Sequence, residues 1–187
     1  MKISKKQRKN IIFLVILALL LIPQTRKPIQ VFINKGIALF GPSLESEANR
    51  VNISDYNWEL KEINAQEVVN FQNSKGEVIV INFWATWCPP CIAEMPSLKD
   101  LHNDYKDKVD FYFVSNEKPE TINAFLEKND YKSVVHNPMT QYLKDFDVSS
   151  IPRTFLIDKQ GNIVIDKTGA ANWNSEKVRS TIEELLN

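Results

Sequence analysis

Cysteine and glycine are scarce in this chain of 187 residues, which contains two cysteines and five glycines. Both cysteines lie in one four-residue stretch, and a bridge across so short a loop constrains the unfolded chain very little. A framework of structural disulfides is therefore excluded, and the pair points to chemistry. Internal repeats and low-complexity tracts are also absent. With 43% hydrophobic and 25% charged residues, the composition indicates one globular domain with a core and an appendage.

Acidic side chains are missing from the first 44 positions, and the first one is Glu45. Eight of the 23 Lys/Arg residues fall within residues 1–35, so the rest of the chain has more acidic than basic side chains. This asymmetry indicates that the two parts occupy different environments. Phosphate contacts require clustered Lys/Arg, so the acidic body argues against nucleic acid as a partner.

The basic start of the chain precedes twelve consecutive apolar residues, from Ile11 to Ile22. A basic segment followed by an apolar one is typical of an export signal, although a membrane span needs about 20 residues. No small-residue cleavage motif follows, and the lack of a cysteine there excludes a lipoprotein anchor. We predict an uncleaved signal-anchor, with residues 1–10 cytoplasmic and 11–41 membrane-associated. A cleaved signal peptide is the alternative. Residues 29–41 extend the anchor or form an amphipathic helix along the interface.

The remainder divides into a polar, aperiodic tether over 42–57 and a domain over 58–187. The domain's hydrophobic patterns predict, in chain order, strands over 58–63, 66–71 and 77–84, a helix over 89–105, a strand over 110–115, a helix over 119–129, a strand over 131–136, a helix over 138–148, a hairpin over 154–169 and a final helix capped by Asn174 or Ser175. This order indicates an α/β fold, with a mixed sheet and helices on both of its sides.

Cys88 directly follows a predicted buried strand and stands where a helix begins. Unpaired backbone N–H groups and the helix dipole favour a thiolate there, which makes Cys88 the candidate nucleophile. Cys91 lies on the same helical face and can attack a mixed disulfide at Cys88. An inert bridge is the alternative. A metal site would need further ligands, and the only histidines are His102 and His136, so no metal is expected.

Two further residues are candidates near this pair. Glu94 stands one helical turn after Cys91, at the end of an apolar stripe. A half-buried carboxylate there would have a raised pKa and could exchange a proton with Cys91, whereas an outward-facing one would be solvated. Pro152 follows Ile151 between a predicted helix and a buried strand, where an X–Pro bond can be cis.

The motifs VINFWATWCPPCIAEMPSL and VSSIPRTFLIDKQGNIV together resemble the TlpA/ResA-like branch of the thioredoxin superfamily. Members of this branch are exported, often membrane-tethered bacterial thiol–disulfide oxidoreductases. The resemblance covers about residues 57–187. It implies a thioredoxin fold with an N-terminal β-hairpin and a strand-helix insertion, here at about 119–136.

The resemblance also implies roles for individual residues. Cys88 and Cys91 match the redox-active disulfide, Glu94 the acid often found beside it, and Pro152 the cis-proline that lies against the disulfide. Asn82 occupies the place that holds a buried acid in cytosolic thioredoxin, which leaves Glu94 as the acid available to the chemistry.

The substrate is expected to meet the residues around that pair. Trp87 matches the aromatic side chain beside the nucleophile and would shape the docking surface. Pro89 and Ile151 border the same place, and the backbone next to the cis-proline would pair with an incoming chain.

The expected function is that of a membrane-tethered reductase of disulfides in exported proteins, with no cofactor. Its expected location is the bacterial inner membrane, with the catalytic domain on the periplasmic side, and a membrane thiol-electron donor would recharge it. Cytochrome c maturation is the process most often associated with this branch. The alternatives are a disulfide oxidant or isomerase, and a non-enzymatic module that binds a client or copper. Strong oxidants usually carry a histidine between the cysteines, so Pro89-Pro90 favours the reductase.

Overall fold

The chain folds around one seven-stranded sheet, as seen in a computed structural model that describes residues 4–65 and 67–187. The strands are β1 (Glu59–Glu62), β2 (Val68–Asn70), β3 (Ile79–Phe83), β4 (Asp110–Val114), β5 (Val135–Pro138), β6 (Arg153–Ile157) and β7 (Ile163–Thr168). Their spatial order is β2-β1-β5-β4-β3-β6-β7. The β3–β4 and β4–β5 pairs are parallel and the others antiparallel, which confirms the mixed sheet of the predicted α/β fold.

Strand β3 lies between β4 and β6 and determines where the candidate site forms. All five of its residues are buried, as expected for an unbroken β-branched run covered on both faces. Phe83, its last residue, pairs with Val114 on one side and Arg153 on the other. The chain therefore leaves the sheet toward Cys88 at the same edge where β4 ends and β6 begins.

The helices are α1 (Lys5–Leu21), α2 (Pro23–Ile37), α3 (Pro89–Tyr105), α4 (Pro119–Lys128) and α5 (Glu176–Leu186). The last three pack on one face of the sheet, where Leu98, Ile122 and Ile182 belong to a single buried cluster that includes Val80. Ser175 caps α5 by accepting a hydrogen bond from the Val178 N–H, which agrees with the prediction.

The opposite face carries an aromatic cluster where a helix over 138–148 was predicted, and that prediction is wrong. The expected placement of helices on both sides of the sheet is wrong with it, because α3, α4 and α5 all pack on one face. Met139 still donates its N–H to the Glu59 carbonyl, so the strand-like pairing of β5 continues beyond Pro138. No helix forms over the residues that remain, 140–148. They form turns, and Phe146 packs against Trp58 and Phe83.

Both departures from a minimal thioredoxin fold are present as predicted. Strands β1 and β2 form an antiparallel hairpin, although Gln66, the first residue of the second predicted strand, lies outside the described residues. The insertion consists of α4 and β5, and β5 joins the hairpin to the rest of the sheet by pairing with both β1 and β4.

Residues 42–57, predicted to be a tether, lie along the edge of the sheet formed by β7. The Ile53 N–H donates to the Gly161 carbonyl, and the Glu45 N–H donates to the Val164 carbonyl, each at 2.8 Å. An edge strand offers unpaired backbone groups, and this segment satisfies some of them. Ile53 and Tyr56 are also buried against the aromatic face. The domain boundaries at residues 10, 41 and 57 stay predictions.

The two N-terminal helices meet at Ile22. Among the described residues no single helix is long and apolar enough to cross a bilayer, but Lys5–Leu19 and Gln24–Ile37 pass that test as a pair bent by 92°. Residues 1–3 of the predicted cytoplasmic segment lie outside the described part of the chain.

Candidate active site

Cys88 caps the N-terminus of α3 and forms a disulfide with Cys91. The Cys91 N–H points at Cys88 Sγ, with 3.3 Å between the two atoms. Pro89 and Pro90 occupy the first turn, where the N–H groups they lack would have no partner within the helix. In the reduced chain the same N–H and the helix dipole would stabilise a Cys88 thiolate. The predicted redox pair is therefore placed at a helix N-terminus.

The Ile151–Pro152 segment lies against this disulfide. Its peptide bond is cis, and the Ile151 carbonyl oxygen is 3.7 Å from Cys88 Sγ. Cys88 is only 2% exposed, whereas the neighbouring Trp87 side chain is 62% exposed. Pro89 and Ile151 are partly buried at the same rim. The residues predicted to border the substrate site thus lie around the sulfur atom of Cys88; they are Trp87, Pro89, Ile151 and Pro152.

Glu94 is buried on α3, one helical turn after Cys91, with 1% of its surface exposed. Its Oε1 accepts a hydrogen bond from Asn82 Nδ2 at 3.0 Å. Its Oε2 accepts two more, from the Ala171 N–H and from Trp173 Nε1, each at 3.2 Å. The sequence left two orientations of the Glu94 side chain open, buried and solvated, and the structure shows the buried one.

Burial raises the pKa of Glu94 to about 8, even though its hydrogen bonds to Trp173, Ala171 and Asn82 act in the opposite direction. Desolvation dominates because no cationic side chain among the described residues pairs with this carboxylate. Asn82, the counterpart of the acid in cytosolic thioredoxin, also donates to Thr154 Oγ1 at 2.7 Å and so ties Glu94 to β6. The only ionisable side chain in this buried group is Glu94.

Glu117 and Lys27 belong to the site as well, and sequence reasoning missed both. Glu117 accepts hydrogen bonds from the Thr86 N–H at 2.6 Å and from Thr86 Oγ1 at 2.7 Å, and Lys27 Nζ donates to the Thr86 carbonyl at 3.0 Å. The N–H, hydroxyl and carbonyl groups of Thr86, two residues before Cys88, therefore all have hydrogen-bond partners. Glu117 comes shortly after the end of β4, and Thr86 comes shortly after the end of the parallel neighbour β3. Since adjacent parallel strands end at the same edge of a sheet, this rule could have identified Glu117 from the sequence. No local pattern marks Lys27.

Taken together, these groups can perform thiol–disulfide exchange. A helix N-terminus that favours a thiolate and a second cysteine on the same turn supply the two sulfurs of such a reaction, and a buried acid of raised pKa can accept a proton from one of them. Within the ranges that the structure describes, no three His, Cys, Asp or Glu side chains are grouped so that they could hold a metal ion.

Comparison with known proteins agrees with this chemistry. The family model for Redoxin matches residues 48–186. The thioredoxin-like protein YneN of Bacillus subtilis is 37% identical over 101 residues, which are 52% of this chain and 59% of YneN. The thiol-disulfide oxidoreductase ResA of Oceanobacillus iheyensis is 32% identical over 125 residues, 64% of this chain and 65% of that protein. The chain thus spans less than two thirds of the length of either relative.

Solved structures support the fold. A thiol:disulfide interchange protein of the thioredoxin family from Chlorobium tepidum superposes with a TM-score of 0.59 at 20% identity, covering 76% of this chain and all of that one. The predicted thioredoxin fold and the predicted relationship are confirmed. This chain belongs to the redoxin family, as a relative of the ResA-type thiol–disulfide oxidoreductases.

Proposed function

We propose that this protein is a membrane-tethered, extracytoplasmic thiol–disulfide oxidoreductase that reduces disulfides in exported proteins. The observation that carries the proposal is the Cys88–Cys91 disulfide at the start of α3, with the Ile151 carbonyl against one sulfur and Glu94 buried one turn beyond the other. The names of the relatives support the reaction class, and the direction of the reaction and the location are inferences from the residues.

In the first step the reduced enzyme attacks a client disulfide. The Cys88 thiolate forms a bond to one client sulfur, the client S–S bond breaks, and the other client sulfur leaves as a thiolate that takes a proton from water. The backbone at Ile151–Pro152 lies beside Cys88 Sγ and is available to pair with the client chain. Trp87 provides the exposed apolar surface next to that contact.

In the second step Cys91 releases the client. The Cys91 thiol gives its proton to the Glu94 carboxylate and attacks the Cys88 sulfur, and the second client sulfur leaves as a thiolate. A pKa of about 8 is close to that of an ordinary thiol, so this proton transfer is nearly balanced in energy. The oxidised enzyme then holds the proton on Glu94. When a dithiol donor reopens the disulfide, that proton passes to Cys91.

The direction is inferred from the absence of a charge between the cysteines. Pro89 and Pro90 offer no cation to stabilise the reduced form, which a strong oxidant needs. A reductase on the oxidising side of a membrane must be recharged, so we infer a membrane thiol-electron donor as its partner. Disulfides of exported proteins are the proposed substrates, those formed during cytochrome c maturation among them.

The proposed tether is the N-terminal part of the chain. Every described side chain of the apolar run in α1 is exposed, and basic residues precede it. An exposed helix of this composition requires an apolar environment, which the bilayer of the inner membrane supplies. The catalytic domain would then lie on the periplasmic side, with the Lys/Arg cluster remaining in the cytoplasm.

Trapping of intermediates tests the assignment of the two cysteines. We expect Cys91→Ser to accumulate a mixed disulfide with a model client, because attack at Cys88 remains while release is lost. Cys88→Ser is the matched control and should form none. Non-reducing gels and intact mass spectrometry of the full chain in detergent would detect the adduct. An adduct on Cys88→Ser, or full exchange activity in that variant, would contradict the assignment.

A further inference from the structure

We propose that the outer side of α2 and the residues after it bind the surface of an anionic lipid bilayer and thereby hold the Cys88 loop beside the membrane. This surface, called the apolar face below, consists of Phe32, Ile33, Ile37, Leu39 and Phe40. The inference deepens the proposed function, because it rests on a chain that is tethered to a membrane and adds where the tethered active site lies.

The apolar face is open to solvent in the isolated chain. Phe32, Leu39 and Phe40 are 78%, 72% and 75% exposed, and Ile33 and Ile37 stand one helical turn apart and are also exposed. Five large apolar side chains within nine residues form an exposed patch of the kind that marks an interaction surface. Single exposed apolar residues elsewhere, such as Val68 on β2, do not form such a group.

The inner side of the same segment is fixed to the catalytic domain. Lys27 Nζ donates to the Thr86 carbonyl at 3.0 Å, and the Phe40 carbonyl accepts the Asn172 N–H at 2.8 Å. Gly41, the next residue, lies so close to the catalytic domain that a Cβ added to it would be 2.5 Å from Ser175 Oγ. The segment is therefore attached to the domain at both ends of α2. A ligand bound to the apolar face would set the orientation of the whole domain.

Charge and geometry favour lipid as that ligand. The described residues before Glu45 include no acid, while Arg26 and Lys35 both lie on α2. Basic side chains around an apolar helix face are typical of helices that lie in the interface of anionic membranes. In addition, α2 continues the apolar helix α1 at a bend of 92°. The apolar run of α1 is short for a membrane span, and snorkelling of the flanking Lys9 and Arg26 side chains would let it cross. The second helix, at a right angle to the first, then lies along the membrane surface.

The consequence concerns the active site. Thr86 is two residues from Cys88, and its carbonyl is bonded to the first part of α2. When the apolar face lies on lipid, the Cys88–Cys91 disulfide is held close to the bilayer instead of at the end of a flexible tether. A thiol donor embedded in the membrane would then meet the disulfide without a large movement of the domain.

Tryptophan quenching by brominated lipid tests this orientation. The full chain with Phe32→Trp would be reconstituted in vesicles of phosphatidylglycerol and dibrominated phosphatidylcholine. The fluorescence of the unsubstituted chain, recorded in the same vesicles, would be subtracted to give the emission of the added tryptophan. Val68→Trp is the matched control, because Val68 is likewise exposed (54%) but lies on β2. Both sites are exposed, so the added ring disturbs no packing. We expect several-fold stronger quenching at position 32 than at position 68.

The other outcomes separate this inference from the proposed tether. If the vesicles carry the chain on flotation but neither position is quenched, the tether stands and the lipid-docked face is wrong. Equal quenching at both positions would also overturn it, because the domain would then have no fixed orientation. Protection of position 32 from an aqueous quencher without quenching by lipid would identify a protein occupant, such as a second copy, and refute lipid docking. A chain that fails to float would overturn the tether and this inference together.

Discussion

Glu94 should make the folded chain less stable as the pH rises through neutrality. Its pKa is raised from 4.5 to about 8 in the folded state, because burial disfavours the carboxylate. Between those two values the folded state holds a proton that the unfolded state has released. The unfolded state therefore binds fewer protons, and the free energy of unfolding falls as the pH increases. This contribution is complete below about pH 4.5 and lost above about pH 8.

The magnitude follows from the same two values. The difference between 4.5 and about 8 corresponds to on the order of 5 kcal/mol over the whole pH range, at about 1.4 kcal/mol for each pH unit. His136 opposes this trend at acid pH, because burial lowers its pKa from 6.5 to about 4 and its loss of stability occurs as the pH falls below 6.5. Burial also lowers the pKa of His102, which acts in the same direction. Both histidines are half protonated at pH 6.5 in the unfolded chain, so their opposing contribution disappears within about one pH unit above that value. Between pH 6.5 and 8.5 we expect Glu94 alone to cost roughly 2 kcal/mol.

Denaturant titration of the oxidised full chain in detergent, repeated across that window, would measure this slope. Glu94→Gln removes the titrating group while keeping an oxygen for the Ala171 and Trp173 donors, so its stability should be nearly independent of pH there. Glu184→Gln, at an exposed position on α5, is the matched control and should retain the parent's slope. A parent whose stability is constant or increases from pH 6.5 to 8.5 would refute the reasoning, as would the same slope in Glu94→Gln.

Two further predictions concern packing and the active-site loop. Phe146→Ala should lower the free energy of unfolding by about 3–5 kcal/mol, because it empties a buried aromatic position. Val68→Ala, at an exposed position, should change it by less than about 0.5 kcal/mol. Equal losses of stability in the two variants, measured by denaturant titration, would contradict this prediction. Glu117→Ala should leave the part-buried Thr86 donors unpaired, at a cost of about 1–3 kcal/mol, and slow disulfide exchange. Glu117→Gln, which keeps one acceptor, should lie between Glu117→Ala and the parent in both assays, and no effect of either change would show that Glu117 does not position the loop.

The parts of the site that the sequence could predict are local in the chain. Cys88 and Cys91 are three residues apart on one helix, so a strand followed by a helix is enough to place both sulfurs at its N-terminus. The orientation of Glu94 is different, because its hydrogen-bond partners Ala171 and Trp173 lie more than 75 residues away along the chain. No local pattern contains that information, which left the buried and the solvated orientation equally open.

The fold shows the same division. Strand β3 and helix α3 agree with their hydrophobic patterns, because each buries a face that the pattern itself defines. The wrong helix over 138–148 failed where tertiary contacts prevailed over local preference. Asp145 accepts hydrogen bonds from the Ser54 N–H and hydroxyl, and Phe146 enters the aromatic cluster around Trp58. Ser54 comes from a segment that looked like a polar tether, and Trp58 comes from a predicted strand about 90 residues before Phe146. The local pattern of residues 138–148 contains neither contact.

The reduction potential of the Cys88–Cys91 pair tests the central claim most directly. The full chain in detergent would be equilibrated with dithiol buffers of graded potential, and the fraction of oxidised protein would be determined by thiol labelling and mass spectrometry. A reductase without a charge between its cysteines should have a potential of about −270 mV or below, in the range of cytosolic thioredoxin. A value near about −120 mV would contradict the reductase and identify an oxidant, and a pair with no reversible couple would contradict enzymatic exchange altogether.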